Sequence, residues 1–199
     1  MPVDLLCLEA CVREARRWLG AGRNHLAVHS TTLRGAPFSR LAALLAARPG
    51  APRYCLVISE QELAGDPSVL LERRRSLRAA GILLAIGDVG YGRSSLENLI
   101  VLEPDLVELE PGFALRFARG SDRTRSLRRM LSLVAALGCD LMVDGVETRA
   151  DLAALCALGV TCGQGRLWER RGALVPSREG SDARRDLRLV SNAAPAHPR

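Results

Sequence analysis

Two stretches of this chain end apolar runs in acids. In Gly81-Ile82-Leu83-Leu84-Ala85-Ile86-Gly87-Asp88-Val89-Gly90-Tyr91-Gly92-Arg93-Ser94-Ser95-Leu96 the run closes on an acid, a glycine-rich turn and a pair of serines. In Leu141-Met142-Val143-Asp144-Gly145-Val146-Glu147-Thr148 it closes on two acids around a glycine. A buried strand of a parallel sheet delivers a carboxylate to its C-terminal rim in this way, and glycine lets the chain reverse into a helix. Carboxylate oxygens gathered on such a rim are what a hard cation binds.

The elements that must position these acids are legible from periodicity. Leu5 to Leu19 reads as an amphipathic helix with Leu5, Leu8, Val12 and Ala15 on one stripe. Further helices are expected over Leu41 to Ala47, Pro67 to Ala80, Ser95 to Val101, Thr124 to Leu137 and Arg149 to Leu158. Asp66 is the expected N-cap of the second of these, with Pro67 at its first position and Gly81 past its end. Strands are expected over His25 to Ser30, Tyr54 to Ser59, Ile82 to Ile86, Asp105 to Leu109, Asp140 to Val143 and Val160 to Cys162. Strands alternating with helices make parallel βαβ units. The count is about six strands, where a closed (β/α)8 barrel has eight. After about Leu174 the pattern dissolves, except around Asp186 to Val190, so residues 175–199 read as a disordered basic tail on a domain of residues 1–174.

Composition limits the class. The chain has 199 residues, 48% of them hydrophobic and 25% charged, which suits one soluble globular domain. No stretch has the apolar length of a membrane span and no leader is recognisable, which points to the cytoplasm. The six cysteines have no Cys-x-x-Cys pair, and His25, His29 and His197 offer no zinc spacing, so reduced thiols are expected. The net charge is +6 and every base is arginine. The arginine runs read as solvated helix faces. Aromatics are 4% of the chain and do not interleave with the arginines, so no nucleic-acid partner is expected.

Taken in order, these motifs resemble the EAL family, the barrel-shaped phosphodiesterases of bacterial cyclic di-GMP signalling. Leu26-Ala27-Val28-His29-Ser30 is similar to a family strand that carries asparagine at the position of His29. Leu56-Val57-Ile58-Ser59-Glu60 is similar to its Leu-Glu-x-Thr-Glu strand, and Gly87-Asp88 to its aspartate pair. Val107-Glu108-Leu109-Glu110 stands at its Lys-x-Asp strand, Asp144-Gly145-Val146-Glu147-Thr148 at Glu-Gly-Val-Glu-Thr, and Gln164-Gly165 at its Gln-Gly pair. The resemblance implies a TIM-like (β/α) barrel of the EAL type, incomplete at its N-terminal side. The strand bearing the Glu-Ala-Leu signature has no counterpart, and a shortened chain and a late start codon both account for that.

The resemblance also implies a two-metal phosphodiester cleavage, and little of its residue set is present. Val57 has no donor atom, Gly87 has lost a carboxylate, and Asp144 is shorter than glutamate by about 1.5 Å. The family lysine has become Glu108, in a chain without lysine, which makes the pocket more negative by two charges. Asp88, Asp144 and Glu147 are vestiges of the catalytic set. Asp88, Asp144 and His29 are a vestigial metal set, although His29 reads more readily as a satisfied or partly buried imidazole than as a ligand. Asp88, Glu108, Asp144 and Glu147 are expected at one acidic mouth. Gln164, Ser94 and Ser95 are the possible nucleotide or lid contacts, and the turn holding the two serines also reads as a plain strand-to-helix turn.

The expected function is therefore a catalytically inactive, EAL-like regulatory protein acting through protein–protein interaction. A protein partner or self-association would cover the open barrel edges. The alternatives are a receptor that binds cyclic di-GMP without cutting it, or an active phosphodiesterase. No cofactor is expected, and Mg or Mn would be needed were activity retained.

Overall fold

A computed structural model describes residues 3–18, 23–46, 53–63, 68–89, 96–109, 121–158, 160, 162–168 and 188–189. In chain order these form α1 (Val3–Trp18), β1 (Arg23–Ala27), α2 (Ser30–Gly35), α3 (Phe38–Leu45) and β2 (Arg53–Ser59), followed by a 3-10 turn at Glu60–Leu63. Then come α4 (Ser68–Ala79), β3 (Leu83–Val89), α5 (Leu96–Leu102), β4 (Leu106–Leu109), α6 (Ser121–Ala136), β5 (Asp140–Val143), α7 (Arg149–Ala157), β6 (Cys162–Gly163) and β7 (Arg188–Leu189).

The strands form one sheet in sequence order, β1 to β7, and every pairing is parallel. Strands added always on the same side, with a helix after each of β1 to β5, build the wall of a (β/α) barrel. The wall is incomplete. Among the described residues β1 has a strand neighbour on one side only. The count of about six strands is exceeded by the two-residue β7, which lies in the segment read as a tail. It extends the otherwise open edge of β6, at the stretch where a weak period reappears.

Strand alternation sorts the side chains onto two faces. Leu56, Ile58, Leu84, Ile86, Leu141 and Val143 face the helices and join the main core. Cys55, Ala85, Leu106, Met142 and Cys162 face inward and form a smaller core within the barrel wall. Burial on both faces explains why the β3 segment reads as a continuous apolar run. The α1 stripe behaves as expected: Leu5, Leu8, Val12 and Ala15 are buried, and the helix packs on β1 and α3.

Other expectations meet a different outcome. Val160 to Cys162 is displaced to Cys162–Gly163. The Asp66 cap and Pro67 lie outside the described residues. The arginine run on α4 is not uniformly solvated. Arg73 lies over the Phe38 ring at 5.9 Å and donates to the carbonyls of Arg34 and Ala36. Arg74 is buried, held by Asp105 at 2.9 Å and by the Glu103 carbonyl. The helix sits against the N-terminal end of the sheet, and that contact draws these side chains inward.

All six cysteines are free thiols. Cys55, Cys139 and Cys162 are buried, while Cys7 is exposed. Burial, and secondarily the charge of Glu108, pushes the Cys55 thiol well above its ordinary value. Burial likewise raises Cys11 and Cys139. These folded-state values exceed the unfolded ones, so the contribution is fully present below the unfolded thiol value and is lost as pH rises above it. No helix among the described residues is long and apolar enough to cross a membrane.

Candidate functional site

Five inward positions lie two residues beyond members of the inner core. Val57 follows Cys55, Gly87 follows Ala85, Glu108 follows Leu106, Asp144 follows Met142 and Gln164 follows Cys162. Period-two alternation therefore lifts all five to the C-terminal end of the wall, facing one another. With His25 and Ala27 of β1, and with Asp4 and Glu62, they line a cleft of about 290 Å³.

Glu108 is bound across the barrel. Its Oε1 shares a short hydrogen bond with His25 Nδ1, from strands β4 and β1, with side-chain exposures of 13% and 2%. The other imidazole nitrogen, Nε2, is buried without a hydrogen-bond partner among the described residues. Gln164 is also buried, and its Oε1 lacks a partner among the described residues. Its main chain is held tightly, donating to the Val143 carbonyl at 2.9 Å and accepting from Val146 at 3.0 Å.

Val57 and Gly87 are sterically matched. A Cβ on Gly87 would lie 2.8 Å from Val57 Cγ1 and 3.5 Å from Glu108 Oε2. The valine methyl occupies the room that a side chain at 87 would need, and a β-branched side chain has little rotamer freedom with which to yield. Gly87→Asp is expected to lower stability by about 1–3 kcal/mol. The loss should shrink in Val57→Ala/Gly87→Asp, a coupling readable by urea denaturation. Strictly additive losses would mean the two positions do not share this space.

The acids foreseen at the mouth are divided by the structure. Asp88 and Asp144 line the cleft. Asp88 is exposed and takes φ 58 at an irregularity where β3 and β4 shift register between Ile86 and Val89, and aspartate tolerates that left-handed conformation better than most residues. Asp144 Oδ1 accepts from the Gly145 amide at 2.5 Å. Glu147, expected at the same mouth, is not there. The chain turns at Gly145 (φ 78), buries Val146 in the helix-side core and leaves Glu147 exposed beside Arg166. Thr148 then caps α7 in a reciprocal box with Asp151, at 3.0 and 3.1 Å.

His29 lines the cleft and is two-thirds exposed, with Nδ1 at 2.8 Å from Glu62 Oε1. Of its two readings, the hydrogen-bonded imidazole matches this geometry. Its backbone N–H donates to Asp4, and that of Ser30 donates to Glu62 at 2.6 Å. Glu60 is buried in the 3-10 turn that packs on β3. Ser94, Ser95 and Glu110 lie outside the described residues. Sequence reasoning did not single out His25, Glu62 or Asp4 as site residues. Their partners lie 83, 33 and 25 residues away, and no local spacing signals that.

The donor set does not fit a pair of divalent cations. Val57 and Gly87 offer no oxygen, and one of the two Glu108 carboxylate oxygens is engaged by His25. Among the described residues no group of three or more His, Cys, Asp or Glu side chains is disposed to hold a metal ion.

The family model described as "EAL domain" matches residues 2–171. MucR of Pseudomonas aeruginosa, a bifunctional diguanylate cyclase/cyclic di-GMP phosphodiesterase, is 30% identical over 168 residues, covering 81% of this chain and 24% of the relative. The chain thus spans about a quarter of that protein. The solved PaMucR phosphodiesterase in complex with c-di-GMP superposes with a TM-score of 0.71 at 24% identity, covering 84% of this chain and 76% of that one. Klebsiella pneumoniae BlrP1, solved as a calcium/cyclic di-GMP complex, gives 0.71 at 23% identity, covering 84% of this chain and 43% of that one.

Proposed function

The chain belongs to the EAL-domain family, and from that premise we propose that it is a non-catalytic regulatory member acting through protein–protein interaction in cyclic di-GMP-related signalling. The observation that carries this reading is the interlocked trio Val57, Gly87 and Glu108. Where two-metal chemistry needs oxygen ligands and a cation, these positions supply a methyl group, a hydrogen atom and a carboxylate tied to His25. The three positions pack against one another, which supports reading them as a closed packing arrangement and not as a metal site short of one ligand.

A protein partner or a second copy would cover the strand edge at β1 and the cleft beside it. Light scattering on the full chain at micromolar concentration should give either a self-associated species or a chain that is stabilised on adding its partner. A stable monomer that no binding protein stabilises would sink that part.

A second reading, a receptor that holds cyclic di-GMP uncut, draws support from buried Gln164 facing the cleft. The acids Asp4, Glu62, Asp88, Glu108 and Asp144 around the same cleft weigh against it, since the ligand is doubly anionic. Calorimetry with cyclic di-GMP, with and without Mg or Mn, separates the two. Binding tighter than about 10 μM, or about −7 kcal/mol, would favour the receptor. The expected result is no such binding and no linear dinucleotide above a buffer control. Turnover would overturn both readings.

A further inference from the structure

The cleft is chemically one-sided. Its charged lining is five carboxylates, from Asp4, Glu62, Asp88, Glu108 and Asp144, with no arginine among the described residues that line it, in a chain whose net charge is +6. Acids alone define no site, but two buried side chains at the base add a second, independent feature. Gln164 Oε1 and His25 Nε2 are both enclosed and both lack partners among the described residues. His25 is 3% exposed and Gln164 7%. His25 Nδ1 is paired with Glu108 Oε1, which leaves Nε2 as the ring's second, unpartnered polar atom. The base of the cleft thus offers an orphan acceptor, Gln164 Oε1, beside a second unpartnered ring nitrogen and below five carboxylates. A buried polar atom left unpaired is costly, so the arrangement favours a ligand that is cationic and rich in N–H donors.

A divalent metal ion answers the charge but not the geometry, because no three ligating side chains converge among the described residues. An ammonium or guanidinium group answers both. It carries three or five N–H donors, needs no fixed coordination shell, and can make charge-assisted hydrogen bonds to Asp144 and Glu108 while donating to the Gln164 carbonyl oxygen. We infer that the cleft receives a lysine or arginine side chain of a partner protein, which brings from outside a cation that the described lining residues do not supply. The inference rests on the interaction-module reading above and gives that partner its anchoring chemistry. It also gives Glu108 a role: the residue that holds the His25 ring in place is the residue that attracts the incoming charge.

The test is a titration of the full chain, followed by NMR at the Gln164 side-chain amide and the His25 imidazole, in low salt where charge attraction is least screened. The probes are N-acetyl-arginine methylamide and N-acetyl-lysine methylamide, with N-acetyl-norleucine methylamide as the neutral control and MgCl2 as the metal control. Saturable shifts with the two cationic amides and none with the neutral one are expected. Glu108→Gln keeps an acceptor for His25 while removing the charge, and should weaken binding at least tenfold. Asp144→Asn, at the rim, gives the same reading should the first variant not fold. The proposal is overturned by equal response to the norleucine compound, by response to MgCl2 alone, or by silence up to ~10 mM probe. Turnover of cyclic di-GMP in a separate assay would sink the non-catalytic reading and leave these titrations standing. Silence here without turnover sinks the cation site alone.

Discussion

Asp105→Ala is expected to lower the stability of the chain by about 3–5 kcal/mol, the loss seen when a buried ion pair keeps one partner and loses the other. Arg74 is 4% exposed and its guanidinium donates to Asp105 Oδ1 at 2.9 Å. The second carboxylate oxygen accepts from the Leu84 amide at 2.9 Å, so one side chain pins α4 to the start of β4 and stitches β4 to β3. The same residue's main chain bonds both neighbouring strands, donating to the Leu84 carbonyl and accepting from the Asp140 amide. Truncation strands a buried cation whose remaining bonds go to the Glu103 carbonyl, at 3.1 and 3.0 Å. For a chain of this length the thermal midpoint should fall by on the order of 10 °C. Asp105→Asn keeps an acceptor for Leu84 and should cost less. Arg74→Met combined with Asp105→Ala should cost less than the sum of the single losses, since removing both charges leaves none unpaired. A midpoint within a degree or two of the parent for Asp105→Ala would mean that the pair is already open to water.

The pair also marks where sequence reading loses its grip. Arginine in an α4 run of three reads as solvated surface, because nothing local distinguishes Arg74 from Arg75. Only the tertiary placement of α4 against β3 and α5 buries one and exposes the other. By contrast, the α1 stripe was legible, because periodicity decides which face of a helix is apolar, and β2 and β3 were legible as buried strands from their apolar runs. α2 was not. Ser30-Thr31-Thr32 has poor helix propensity, and the helix owes its existence to the burial of Thr32 and Leu33.

The site divides along the same line. The motif positions Asp88, Asp144 and Gln164 reach the cleft because each sits at a strand end, which a sequence announces. The loss of donors at Val57 and Gly87 was equally visible. Their steric match was not, since it depends on which side chain fills which space. The His25–Glu108 bond was invisible because it joins strands 83 residues apart across the barrel interior. Glu147 was misplaced for a nearby reason: its motif fixes the spacing to Asp144, but the positive φ at Gly145 decides where the next residues point.

Gly165→Ala should be the most damaging single-methyl change in the site, with an expected loss of about 2–4 kcal/mol. Gly165 takes φ +150, outside the comfortable range of a side-chain-bearing residue. A Cβ there would press on the Val146 amide nitrogen and carbonyl oxygen, closer than any nonbonded contact allows, and lie 2.8 Å from its carbonyl carbon. That peptide cannot retreat cheaply. Val146 donates to the Gln164 carbonyl at 3.0 Å and accepts from the Leu167 amide at 3.0 Å, so moving it breaks both bonds. Each is worth about 1 kcal/mol, and the forced backbone adds about 1–3 kcal/mol. The glycine of the Gln-Gly pair is therefore a packing requirement, and its consequence for function runs through its neighbour. The backbone bond from Val146 to the Gln164 carbonyl, with the one from the Gln164 amide to Val143, fixes the main chain that carries the buried Gln164 side chain at the cleft. A stability loss under about 1 kcal/mol in urea denaturation would show that Val146 yields easily. A full loss, with the Gln164 side-chain resonance shifted in whatever folded fraction remains, would tie the strain at 165 to the aim of the acceptor beside it.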